Sequence, residues 1–172
     1  FEAKNITFVE NMDYSTRWFV ADRLRISQVL VNILGNAVKF TAEHGRVEFS
    51  IKEIESETLA EGSISKVSFS IKDNGVGISK EDQKKVFRSF EQAKGEESNT
   101  LKAQGTGLGL SISQRLVQLM GSKIELESEL GEGSEFSFTL SLMHGEEAAE
   151  EDKVNEYNFE GKRVLVAEDN EL

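Results

Sequence analysis

The 172-residue chain contains no cysteine. A disulfide framework and a thiolate metal site are therefore excluded, and a bound metal would have to take hard oxygen ligands. The lack of thiols fits a reducing compartment, so a cytoplasmic segment is expected, with the attachment of any parent protein left open. No run of apolar residues is long enough to span a bilayer, and no charged-then-apolar leader opens the chain. Direct membrane contact by this segment is not expected. Basic residues are outnumbered, with 20 Lys and Arg against 31 Asp and Glu and a formal net charge of -11. Nucleic-acid binding is not expected, because counterion release needs a basic surface. An anionic ligand would have to be held by local devices. The chain begins at Phe1 and stops inside a pattern, so both ends look cut.

What is present is ordinary for a folded domain: 38% hydrophobic and 30% charged residues. Short apolar and aromatic stretches at residues 6–9 and 18–21 read as strands at a sheet edge. From Asp22 onward, Ile26, Val29, Leu30, Ile33, Leu34 and Ala37 recur at helical spacing and give one apolar face. Val47, Phe49 and Ile51 alternate, as do Val67, Phe69 and Ile71, which predicts two half-buried strands joined by a polar loop or hairpin over residues 55–65. A short helix is expected over residues 79–87, with Ser79 as N-cap and Glu81 and Asp82 in its first turn. Residues 91–104 are polar and aperiodic and read as a mobile loop. A helix over about 106–120 follows, with Leu108, Ile112, Leu116, Leu119 and Met120 inward and Gly121 as its stop. Strands at 124–129 and 135–142 finish the pattern.

Asn32, Asn36 and Lys39 stack on one strip beside the apolar face of the first long helix. An amide oxygen there, completed by nucleotide phosphates and water, would suit magnesium, and Lys39 would add a positive point charge. A solvated helix edge explains the same residues. Strand alternation puts Asp73 on the face of Val67, Phe69 and Ile71, so its carboxylate points inward and needs donors. An adenine amine would supply one, whereas the guanine carbonyl would be refused. A plain turn, Asp73-Asn74-Gly75, is the alternative. Gly75 and Gly77 after the strand, and Gly105, Gly107 and Gly109 before the second long helix, let backbone approach a ligand closely. The second set would also bring peptide N–H groups to a helix N-terminus, where phosphate binds favourably. The spacing is neither the Walker A nor the dinucleotide pattern.

In chain order these residues form Asn32 to Thr41 (NILGNAVKFT), Asp73 to Ile78 (DNGVGI), Phe87 to Gln92 (FRSFEQ) and Gly105 to Leu110 (GTGLGL). The four runs resemble the N box, first glycine box, F box and second glycine box of histidine kinases, and the resemblance extends over residues 1–142. It implies the two-layer α/β sandwich of the GHKL ATPase superfamily, shared with type II topoisomerases, MutL proteins and a heat-shock chaperone, with a mixed sheet packed against three helices. It implies ATP and Mg²⁺ as cofactors, with Asn36 as the metal ligand and Asn36 and Lys39 as the residues serving catalysis. Asn32, Lys39 and Phe40 would lie near the nucleotide, and Asp73 would bind the adenine amine. Gly77 would line the base pocket, Gly105, Gly107 and Gly109 would flank the phosphates, and Gly75, Ile78, Thr106, Leu108 and Leu110 would join them in binding the nucleotide. Many members carry a basic residue after the F box, where this chain has Gln92; Lys102 or Lys94 is the candidate replacement.

The two histidines, His44 in a turn and His144 at the head of an acidic stretch, lack the helical context of a phosphoacceptor and are expected at the surface. The acceptor is expected upstream of Phe1, on a dimerisation domain that would make the parent a homodimer. Residues 1–143 are expected to form the catalytic domain and residues 144–160 an acidic linker. Residues 161–172 carry Val164, Leu165, Val166 and Ala167, then Glu168 and Asp169, and resemble the first strand of a response-regulator receiver domain. The expected activity is ATP-dependent phosphorylation of a histidine in a hybrid two-component kinase. Two rivals share many of these features: an ATP-hydrolysing clamp, which the F box and the receiver-like tail disfavour, and a module that holds nucleotide without transferring it.

Overall fold

The computed structural model describes residues 4–15, 18–60, 62–88 and 108–146. Six strands and three helices follow one another as β1 (Thr7–Asp13), β2 (Phe19–Val20), α1 (Arg23–Phe40), β3 (Arg46–Leu59), β4 (Gly62–Asp73), α2 (Lys80–Gln83), α3 (Gly109–Leu119), β5 (Glu125–Glu129) and β6 (Gly133–His144). The sheet runs β1-β3-β4-β6-β2, with β5 pairing the first half of β6. β1 lies parallel to β3 and every other pairing is antiparallel, so the sheet is mixed as expected. The expected edge strands are β1 and β2, and the polar 55–65 segment is a hairpin whose ladder reaches Leu59 and Gly62.

One sheet face is apolar because period-two alternation is kept across three adjacent strands. Val47 on β3, Val67, Phe69 and Ile71 on β4, and Phe136, Phe138, Leu140 and Leu142 on β6 are all buried. Phe69 and Phe138 stack across the ladder at 5.0 Å between ring centroids. Val29, Ile33 and Ala37 of α1 and Val117 of α3 complete this core, with Ile26, Leu30 and Leu34 packed around it. α1 is capped by Asp22, whose carboxylate accepts from the Arg25 N–H at 3.1 Å.

Three expectations are corrected. The inward face of α3 is Ser113 and Val117, flanked by Leu110, Leu116 and Met120, while Ile112 and Leu119 are exposed. The buried Ser113 has its hydroxyl satisfied by Asn32, so a polar residue occupies a core position and rotates the face by one residue from the all-apolar stripe. α2 ends at Gln83 rather than near Phe87, because tighter turns take over, with Lys85 N–H donating to Asp82 O and Arg88 N–H to Lys85 O. His144 is not a surface residue heading a linker but the last residue of β6. Its half-buried ring meets Phe19 edge-on. Gly121 ends α3 as expected, at φ 78°, with Ser122 N–H bonded to Val117 O and Gly121 N–H to Gln118 O.

Candidate functional site

The strip of α1 that carries Asn32, Asn36, Lys39 and Phe40 is bracketed at both ends. At one end the Asn32 amide donates to Gly109 O at 3.4 Å and to Ser113 Oγ at 3.2 Å, tying α1 to the first turn of α3. At the other end Phe40 O accepts from Val76 N–H at 3.3 Å, tying α1 to the loop after β4. Eight residues of helix separate the brackets, about 12 Å at 1.5 Å per residue. Asn36 and Lys39 sit half-buried between them. The Lys39 ammonium lies 5.0 Å from the centroid of the Phe40 ring.

Asp73 closes this region from the sheet side. It is 6% exposed, on the face of Val67, Phe69 and Ile71, and its Oδ1 accepts the Gly75 N–H at 2.8 Å. Burial pushes its carboxyl above the ordinary value, and the backbone N–H groups of Gly75 and Ser134 pull it partly back. A buried carboxylate that peptide donors only partly compensate is chemically suited to an amine ligand.

The loop from Gly75 to Ile78 is held by backbone contacts that side chains would forbid. A Cβ on Gly75 would lie 2.5 Å from Phe40 O; Gly77, at φ 66°, would place one 1.9 Å from Glu129 O. The glycine at 77 is thus required by the β5–β6 turn, whose Gly131 N–H donates to Val76 O at 2.8 Å. Ile78 N–H donates to Ser128 Oγ, and the Gln83 amide donates to both Ile78 O and Ser128 O, each at 2.8 Å. Gly109 differs: its added Cβ would meet Asn32 at an ordinary 3.6 Å, so packing does not demand glycine there.

Of the sequence candidates, Asn32, Asn36, Lys39, Phe40, Asp73, Gly75, Gly77, Ile78, Leu108, Gly109 and Leu110 lie in described residues; contacts join Gly109 to Asn32, and Asp73 through Gly75 to Phe40, while no such contact ties Leu108 or Leu110 to the α1 strip. Lys102, Gly105, Thr106 and Gly107 lie outside the described residues, as do Phe90, Gln92 and Lys94. Ser113, Ser128, Gln83 and Ser134 were missed, and no local signal marks them, because each acts through a contact with another element or loop. A cavity of about 390 Å³ lined by Ile78, Ser79, Lys80, Ser128, Glu129 and Leu130 opens on the β5–β6 turn. It shares Ile78 with the candidate residues but contains neither Asp73 nor the α1 strip.

A carboxylate cage for a metal does not occur among the described residues. The Asn36 amide fits a hard cation whose remaining shell comes from phosphate and water.

The mixed sheet, the glycine-braced loop and the inward aspartate beside an asparagine-bearing helix define a nucleotide-binding α/β sandwich. Residues 21–144 match the model of the histidine kinase-, DNA gyrase B- and HSP90-like ATPases, and the chain belongs to that family. It is 40% identical over 155 residues to the sensor histidine kinase GacS of Pseudomonas protegens, covering 89% of this chain and 16% of that protein. It is 44% identical over 119 residues to hybrid signal transduction histidine kinase B of Dictyostelium discoideum, covering 69% and 6%. Among solved structures, the catalytic domain of histidine kinase ThkA superposes with a TM-score of 0.63 at 30% identity, over 81% of this chain and 82% of that one. Full-length ShkA in complex with AMPPNP gives 0.63 at 30% identity, over 84% and 27%. The chain thus spans under a fifth of the length of the GacS and kinase B relatives.

Proposed function

We propose that this chain is the ATP-binding catalytic domain of a hybrid sensor histidine kinase, which transfers the γ-phosphoryl group of ATP to a histidine outside this chain. The observation that carries the reading is the bracketed strip of α1, with Asn36 and Lys39 held between the α3 terminus and the Gly75–Ile78 loop, and Asp73 buried behind it. Asp73 accepts from the adenine amine, and Asn36 and Lys39 face the phosphates. Mg²⁺ bound with the nucleotide neutralises phosphate charge. Asn36 supplies its protein oxygen and Asn32 holds the start of α3 toward the same phosphates. Catalysis by this domain is positioning and charge neutralisation rather than covalent chemistry. Lys102 and the Gly105, Thr106 and Gly107 segment complete the phosphate end in this reading.

The partners follow: an upstream dimerisation domain bearing the histidine in a homodimeric parent, and a downstream receiver domain that begins near residue 161. The segment makes no contact with nucleic acid or membrane and works in the cytoplasm. Joined to its upstream segment and given γ-labelled Mg-ATP, the protein should acquire acid-labile, base-stable phosphate. The 172-residue chain by itself should acquire none. Stoichiometric label on the chain alone would misplace the acceptor, and an unlabelled joined protein would remove the kinase reading.

A further inference from the structure

The last turn of a helix leaves carbonyls without intrahelical partners, and in α1 each has a named donor. Ala37 O accepts the Thr41 N–H at 3.0 Å and Phe40 O accepts the Val76 N–H. The remaining three go to one side chain: Lys4 Nζ donates to Val38 O at 2.9 Å, Lys39 O at 2.9 Å and Thr41 O at 3.1 Å. An ammonium has three protons, and here each meets a carbonyl at the negative end of a helix dipole. The backbone of Lys4 grips the same corner, its carbonyl accepting the His44 N–H at 3.1 Å.

We propose that Lys4 is a positioning residue of the nucleotide site, a role that rests on the function proposed above. Its bonds to Lys39 O and Thr41 O straddle Phe40, whose carbonyl is the support of the Gly75–Val76 loop. Gly75 lies so close to that carbonyl that a Cβ would stand 2.5 Å away, and Gly75 N–H in turn holds Asp73 Oδ1. Lys4 therefore connects, through Phe40 and Gly75, to the carboxylate that recognises the base. Loss of these bonds would loosen the α1 end and the loop together.

The test uses the 172-residue chain with K4M, which keeps length and removes the charge, and K4R, which returns donors. Mg-ADP is titrated by calorimetry at a temperature where all three are folded by circular dichroism, and amide hydrogen exchange is followed at Thr41, Val76, Phe138 and Leu140. K4M should bind Mg-ADP about tenfold more weakly and exchange faster at Thr41 and Val76 but not at Phe138 or Leu140. K4R should recover most of the affinity. Wild-type affinity in K4M, or exchange raised equally in β6, would overturn the proposal. Should the wild type fail to bind Mg-ADP at all, the functional reading would fall separately, and unchanged Val76 exchange in K4M would overturn the role of Lys4 as well.

Discussion

Ser65 and Asp73 lie eight residues apart on β4, on the same inward face, and are 1% and 6% exposed. Their surroundings differ. At the Ser65 end the polar groups satisfy one another: Ser65 Oγ donates to Glu53 Oε1 at 2.6 Å, and Ser15 donates to Glu53 Oε2 through its N–H at 2.8 Å and its hydroxyl at 2.7 Å. His144 Nε2 lies 2.6 Å from Ser65 Oγ. The Ser65 hydroxyl thus bridges Glu53 and His144. At the Asp73 end the compensation is one-sided: peptide N–H groups reach the carboxylate, yet burial still holds it above its ordinary value. A polar cluster closed on itself fastens strands, whereas a buried acid left partly uncompensated is poised for a ligand.

That contrast can be broken by substitution, most sharply in the loop that builds the Asp73 end. Gly77→Ala forces a Cβ to 1.9 Å from Glu129 O at a positive φ. It should cost about 3 kcal/mol of stability, read as a shift in denaturant midpoint; an unshifted midpoint would show that the β5–β6 turn yields freely. Asp73→Asn should weaken Mg-ADP by about 1.5–3 kcal/mol in a calorimetric titration, and equal affinities would take Asp73 out of base recognition. The same acid sets a pH dependence. Because its folded value is raised, its ionised form disfavours the free fold, and that penalty is relieved as pH falls through the raised value toward 3.8. Recognition of an amine needs the ionised form, so Mg-ADP affinity should fall over the same window while the free wild type gains stability relative to Asp73→Asn.

At the closed end, Ser65→Ala should lower stability by about 1–3 kcal/mol, since Glu53 and His144 each lose a partner, and leave Mg-ADP affinity unchanged. An affinity loss comparable to that of Asp73→Asn would erase the distinction between the two ends. The smallest stability effect belongs to Gly109→Ala, which meets only ordinary contact at Asn32 and should alter stability by less than about 1 kcal/mol. Thermal melts that drop as far as those of Gly77→Ala would place Gly109 with the packing glycines.

The order of elements was legible in the sequence wherever periodicity was clean. Val29, Ile33 and Ala37 at helical spacing, and Val67, Phe69 and Ile71 in alternation, each reported a buried face, because burial repeats with the geometry of the element. Alternation likewise put the Asp73 carboxylate inside, and the four motifs named the family. The inward face of α3 was misread because Ser113 looks like a surface residue until Asn32, 81 positions away, is seen to bond it. Gly77 looked like a ligand glycine, yet the reason for it stands on another strand, at Glu129 O. Nothing in the spacing of Lys4 announced that its ammonium would end α1. Local propensity and period are properties of neighbouring residues and can be read from them. Close approaches of backbone, and the donors that meet distant carbonyls, depend on which remote segments the sheet brings together, and the tertiary structure alone decides those.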